Sequence, residues 1–312
     1  SFSKWIDDII TTNRILNNFS QFNREVYFSI IERERKQRIF RVGSEDKEYT
    51  VTDILALLKE KRVLELRPAH WLSKKRRYKL EYNNGRLRVN GIERTYQYLK
   101  KTISFLNANY IVSEYIDIHY GEFNGQQYDG YIKFYLANDC GDEPVILDAY
   151  INLLYNLSAK SLDGETIYHR TRDTYKIDLD NGICDFDGCH QIENWDLIVE
   201  KIKEIASAMK QLSFFSISIH PQNGGFKLLS LSADPLLPRI GIGDRLNAYL
   251  KNKFNERKSH FHLTLSDRMR AIKKSWFYKF VAKHCRPGTR PYMQQLWHNA
   301  VKDDLLHTRI GL

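Results

Sequence analysis

Cysteine is scarce in this sequence. Four in 312 residues (Cys140, Cys184, Cys189 and Cys285), without framework spacing, exclude a disulfide-stapled scaffold. Reduced thiols in a cytoplasmic protein are the expectation. Cys184 and Cys189 lie close together, but no second pair follows them, so no zinc site is expected there. Long apolar runs are also missing, since nothing approaches the ~18–20 residues that span a bilayer. The opening residues carry no secretory-signal pattern and begin with Ser1 rather than Met, so a domain excised from a longer protein is the expectation. What remains is a globular composition, 42% hydrophobic and 28% charged, long enough for two lobes and an appendage.

The net charge of +10 is unevenly placed. Residues 239–312 hold 16 Lys+Arg against 5 Asp+Glu, whereas residues 1–238 hold 32 against 33. The excess sits in the tail and points to an anionic partner there. Ser266 can cap a helix running to Cys285, with Met269, Ile272, Trp276 and Phe280 on one side and cations on much of the rest. Such a helix either packs on the body or lies on an anionic membrane. No nucleic-acid module accompanies it, so nucleic acid is not the expected partner.

The rest of the chain is organised around residues 211–239. Residues 214–220 alternate bulky and small side chains with period two, Pro221-Gln222-Asn223-Gly224-Gly225 is turn chemistry, and residues 226–231 form the return strand. Residues 232–238 then leave the sheet through Pro235 and Pro238, at a strand end of the kind that carries ligand chemistry. Upstream, Asn194-Trp195-Asp196 opens a helix whose stripe of Trp195, Ile198, Val199, Ile202, Ile205, Ala206 and Met209 is predicted to cover this sheet.

Earlier segments read in order. Residues 5–19 are helical by pattern, with Trp5, Ile9, Ile10 and Leu16 near one face. Residues 26–32 and 38–42 are predicted strands, and 52–59 a helix capped by Thr52. A strand over 62–68 ends in Arg67-Pro68. The stretch Ala69 to Tyr78 contains no glycine and carries four consecutive cations, Lys74, Lys75, Arg76 and Arg77. It reads as a solvated basic turn, or as a place that attracts phosphate. Residues 78–80 and 87–89 form a hairpin about Asn83-Asn84-Gly85, 96–105 a helix, and 109–116, 130–136 and 145–149 strands. His220 at a strand end is read as structural, and His260 with His262 as exposed decoration.

In their order these pieces resemble ATP-grasp proteins, close to the sugar-transfer-associated kind found in teichuronic acid and capsule gene sets. The resemblance covers about residues 7–238. It rests on the opening helix and strand, Arg67-Pro68 in place of a Lys-Pro, the hinge-like Asn109-Tyr110-Ile111-Val112-Ser113-Glu114-Tyr115-Ile116, the turn at 174–182, and the closing hairpin with its proline-bearing exit. It implies an α+β, two-lobed ATP-grasp-like fold over residues 1–238, the smaller lobe at about 52–115, with a basic helical C-terminal extension at 239–312. It also implies phosphate contacts from Arg67, Lys74 and Lys75, a ribose contact from Glu114, and a phosphate or substrate contact from Lys133. The family's magnesium ligands, Asp, Glu and Asn, correspond here to Ser216, Ser230 and Ser232.

Active relatives join a carboxylate to an amine through an acyl-phosphate, using ATP and magnesium. With the phosphate loop and metal positions replaced, the first reading is a non-catalytic domain that needs no cofactor. It would recognise a glycan or sugar precursor, or position a glycosyltransferase partner or parent-chain domain, in the cytoplasm or at the inner face of the membrane. The alternative is an active ligase using ATP and magnesium, with Asp129, Asp148 or Asp234 as relocated ligands.

Overall fold

A computed structural model describes residues 5–33, 36–71, 73, 75–123, 126–160, 166–186, 190–222, 224–238 and 242–260. It divides into two compact units, residues 1–249 and 250–312. The predicted tail helix over 266–285, with Trp276 and Phe280, lies outside the described residues, as do Cys189, Cys285 and His262.

Residues 5–19 do not form one continuous helix. The backbone of Asp8 bridges to His70, and its carboxylate accepts from the Thr11 N–H at 2.8 Å, capping α1 (Ile9–Ile15) from outside. Ile9 and Leu16 are buried as expected, but the interruption leaves Trp5 64% exposed.

The first sheet is built from β1 (Val26–Arg33), β2 (Lys36–Arg41), β3 (Ser44–Tyr49), β4 (Val63–Pro68), β5 (Tyr78–Asn83), β6 (Arg86–Val89), β7 (Ile92–Arg94) and β8 (Tyr110–Glu114). Its order is β3-β2-β1-β8-β4-β5-β6-β7, with every neighbouring pair antiparallel. Helices α2 (Val51–Lys61) and α3 (Tyr96–Ser104) cover one face, where Ile54, Leu58, Leu64, Leu66, Leu99 and Val112 share a core. The cap of α2 is Thr50, not Thr52. Thr50 is extended, and Asp53 closes a capping box on it, accepting from its N–H at 2.7 Å and its hydroxyl at 2.8 Å. Thr52 already lies inside the first turn.

The second sheet contains β9 (His119–Phe123), β10 (Gln126–Ala137), β11 (Val145–Lys160), β12 (Thr166–Ile177), β13 (Ile183–Cys184), β14 (His190–Gln191), β15 (Phe214–Gln222) and β16 (Gly225–Ser232). Its order is β14-β13-β12-β11-β10-β15-β16, with β9 beside β10. The closing hairpin forms as expected: β15 and β16 pair antiparallel, with Ser216 opposite Ser232. The stripe of α4 (Trp195–Ser207) packs on this sheet, with Trp195, Ile198, Ile202 and Ile205 in one core with Phe134, Ile217 and Leu231. Residues 174–177 complete β12 rather than turning, and the turn narrows to 178–182, where the Gly182 N–H meets the Asp178 carbonyl at 2.8 Å. A last helix, α5 (Asp244–His260), starts in the first unit. Among the described residues no helix is long and apolar enough to cross a membrane.

Candidate functional site

Period-two alternation divides the second sheet into an apolar and a polar face. Ile132, Phe134, Ala149, Ile151 and Ile217 point into the core beneath α4. The residues between them face the other way. Paired residues share a face, so Asp148, Tyr135, Ser216 and Ser232 form one row across β11, β10, β15 and β16. Tyr150, Lys133, Ser218 and Ser230 form the next row, with Lys176 beyond Tyr150.

The chain that leaves β16 is bonded to this face. The Leu236 carbonyl accepts from Lys133 Nζ at 2.8 Å and from the Tyr135 hydroxyl at 2.6 Å. The Gly243 N–H donates to the Tyr150 hydroxyl at 3.1 Å, and the glycine lies so close to Asp148 that a Cβ would fall 2.3 Å from Oδ1. Asp148 is 2% exposed, accepts from the Tyr150 hydroxyl at 3.2 Å, and lies 3.5 Å from Lys176 Nζ. Burial, with Arg172 adding to it, pushes the Lys133 ammonium down to about 8. Burial also pushes the Tyr150 phenol up to about 12.

The Lys133 shift predicts a pH dependence of stability. Between about pH 8 and the ordinary lysine value the unfolded chain holds a proton that the folded chain has released, so Lys133 makes stability rise with pH there. Urea midpoints across that window should climb more steeply for the native chain than for Lys133→Met. Parallel slopes would place the ammonium in water.

Alternation also shapes the face of the first sheet opposite α2 and α3. Leu64 and Leu66 point to the helices, so Glu65 and Arg67 point away from them. There Arg24 is hydrogen-bonded and ion-paired with Glu65, and Arg67 Nη1 lies 3.7 Å from the same carboxylate with its guanidinium 5.2 Å from the Trp71 ring. Arg24 is 4% exposed and Arg67 1%, and the Nε of each has no hydrogen-bond partner among the described residues. Burial and the neighbouring Arg24 hold Arg67 well below the usual arginine value, with Glu65 opposing. Arg24 also donates to the Glu114 carbonyl at 2.8 Å.

Glu114 ties the two sheets together. Its carboxylate accepts from Lys227 Nζ on β16 at 2.9 Å and from the Glu25 N–H at 3.0 Å. Phe22 reinforces the join, stacking on Phe226 at 4.4 Å and accepting the Leu228 N–H at 2.8 Å.

The sequence-predicted residues therefore fall into several places. Arg67 and Glu114 lie in the charge cluster on β4 and β8, each already engaged by protein groups. Lys133 lies with Ser216, Ser230 and Ser232 on the polar face of the second sheet, as does Asp148. Lys75 is exposed in the basic turn, and Lys74 is outside the described residues. Asp234 sits in the exit segment, its N–H 3.3 Å from Ser232 Oγ. His220 donates from Nδ1 to the Gly130 carbonyl at 2.8 Å, and burial lowers its affinity for a proton. That bond gives it a structural task. The reading from sequence missed Arg24, Glu65, Tyr135, Tyr150 and Lys227. A Glu and an Arg two apart in an otherwise apolar strand were the available signal for the first sheet.

The residues present do not fit magnesium. That ion takes hard oxygen ligands, usually carboxylates together with phosphates. The row that holds Ser216 and Ser232 offers two serine hydroxyls and Asp148, which already lies against Lys176 and Tyr150. Among the described residues no group of three or more His, Cys, Asp or Glu converges as a metal site.

No family model matches the chain, and no curated protein matches it. Solved structures give remote similarities. One is D-alanine–D-alanine ligase from Bacillus anthracis, at TM-score 0.44 and 10% identity over 82% of this chain and 70% of that one. The same ligase complexed with ATP gives TM-score 0.41 and 10% identity, over 82% and 69%. The ATP-grasp ligase PsnB, complexed with a minimal precursor, gives 0.39 and 12%, over 78% of this chain and 56% of its own.

Proposed function

We propose that this chain is an ATP-grasp-like domain of cell-surface polysaccharide synthesis, serving recognition or scaffolding for sugar transfer rather than catalysis. Its ligand would be a glycan or sugar precursor, presented to a glycosyltransferase partner or to another domain of a parent chain. The fold and setting are supported by the resemblance of residues 7–238. The non-catalytic part rests on one observation, that three of the residues at the expected nucleotide positions, Arg67, Glu114 and Lys133, are already in contact with protein groups. Glu65 and Trp71 hold Arg67, Lys227 and Glu25 hold Glu114, and the Leu236 carbonyl holds Lys133. A phosphate entering there would have to displace each of these contacts.

Calorimetric titration with ATP, with and without magnesium, tests the proposal. Weak binding that magnesium leaves unchanged is the expected result. One observation favours a second reading: Asp148 stands in the same row as Ser216 and Ser232, where a relocated ligand would have to be. Magnesium-dependent binding in the micromolar range, with ADP released on adding acceptors, would replace the scaffolding reading with an ATP-dependent ligase acting on a sugar or glycan precursor.

A further inference from the structure

The near-neutrality of residues 1–238 is a cancellation. Residues 26–115, which build the first sheet and its two helices, hold 20 Lys+Arg against 11 Asp+Glu, whereas residues 116–238 hold 9 against 19. The first lobe thus draws anions toward its own surface. On its helix-covered side, opposite the face that bears Glu65 and Arg67, α2, the β5–β6 hairpin, β7 and the start of α3 border an open surface cavity of about 250 Å³.

Three cations and one carboxylate line this cavity: Lys59, Arg86, Arg94 and Glu93. Glu93 is paired with Arg86 at 3.1 Å. Lys59 and Arg94 have no carboxylate partner among the described residues and instead lie over phenol rings, 5.5 Å from the centre of Tyr82 and 4.7 Å from that of Tyr98. Those rings partly fix where the charges stand. Register explains the convergence, because Tyr82, Leu87 and Arg94 are directly paired across β5, β6 and β7 and so share one face. Tyr96 supplies a second aromatic wall, its hydroxyl held by that of Thr52 at 3.0 Å.

We infer that this cavity binds a phosphate monoester, the dianion meeting Lys59 and Arg94 and the organic group lying against Tyr82 and Tyr96. Two unneutralised cations match a dianion better than a single carboxylate, and the guanidinium fork suits phosphate oxygens. The volume is below the ~300–1,000 Å³ of sites for drug-sized ligands, which suits a phosphoryl group carrying one ring. The ester can be a free metabolite or the phosphorylated end of a longer chain.

The test is calorimetric titration of the full 312-residue chain at low salt with phenyl phosphate, glucose 1-phosphate and a phosphate-ended oligosaccharide. Saturable binding of at least one ester is expected, with no binding of phenol or glucose. The double variant Lys59→Met, Arg94→Met should weaken it at least about tenfold, since two charge-assisted contacts are lost. A matched pair on β2, Lys36→Met with Arg41→Met, removes the same charge several strands away and should change affinity less than about twofold, because exposed charges at that distance are screened. All four of these side chains are exposed, so the melting temperature should stay put in both variants. Preference for the oligosaccharide assigns the site to a chain end, and equal affinity assigns it to the free ester. Equal loss in the two double variants would mean a diffuse field and no site, and failure of every ester to saturate would overturn the inference outright.

Discussion

Glu65→Ala is expected to destabilise the first unit by about 3–5 kcal/mol, because it strands buried charge. Glu65 is the one carboxylate shared by Arg24 and Arg67, which are 4% and 1% exposed. Neither guanidinium can reach water from that position, and the Nε of each already lacks a partner. Removing the carboxylate leaves two like charges facing each other at low dielectric. Glu65→Gln keeps one acceptor oxygen while losing the charge, so it should fall between alanine and the native chain. The triple variant Arg24→Met, Glu65→Leu, Arg67→Met separates charge from packing. Replacing a buried ionic cluster by apolar side chains of similar size is often neutral or stabilising, so this variant should recover most of the loss. Urea midpoints at neutral pH measure all three. An alanine variant with a native midpoint would show that water reaches the cluster.

That cluster also marks where sequence reasoning stopped. Strands with strict alternation were legible, and so was the apolar stripe of α4, because burial on one face imposes a period that a single sequence displays. The hairpin of β15 and β16 was legible twice over, from its alternation and from its turn residues. Partner identity across strands was not. Nothing local to Arg24 announces that it meets Glu65, 41 positions later, or that Glu114 meets Lys227 at a separation of 113. The three serines on the polar face were found through a resemblance, whereas Tyr135 and Tyr150 beside them were not singled out. Caps failed for a different reason. Thr50 and Thr52 are both suitable chemically, and only the extended backbone at Thr50 decides between them. At Asp8 a polar residue with a good capping side chain cut a periodic pattern that otherwise continued through it.

The second large effect belongs to the contact between the turn at 178–182 and the helix that covers the sheet. Trp195→Ala is expected to cost about 3–5 kcal/mol, in the range for removing a large buried aromatic. The indole is 4% exposed, stacks on Phe134 at 5.6 Å, and donates its N–H to the Leu179 carbonyl at 2.9 Å. Gly182 packs directly against it. A Cβ at that glycine would lie 2.4–2.8 Å from three Trp195 atoms, and its φ of +71° is already costly for any other residue. Gly182→Ala alone should therefore be destabilising by a steric part and a backbone part. In the Trp195→Ala background the collisions with Cγ and Cδ2 are gone, and what remains is the approach to the retained Cβ at 2.7 Å together with the backbone cost of about 1–2 kcal/mol. The double variant should then be less damaged than the sum of the two singles, a coupling that separated sites do not show. Strict additivity in urea midpoints would mean that the turn at 178–182 does not touch the helix, and that the placement of α4 rests on its stripe alone.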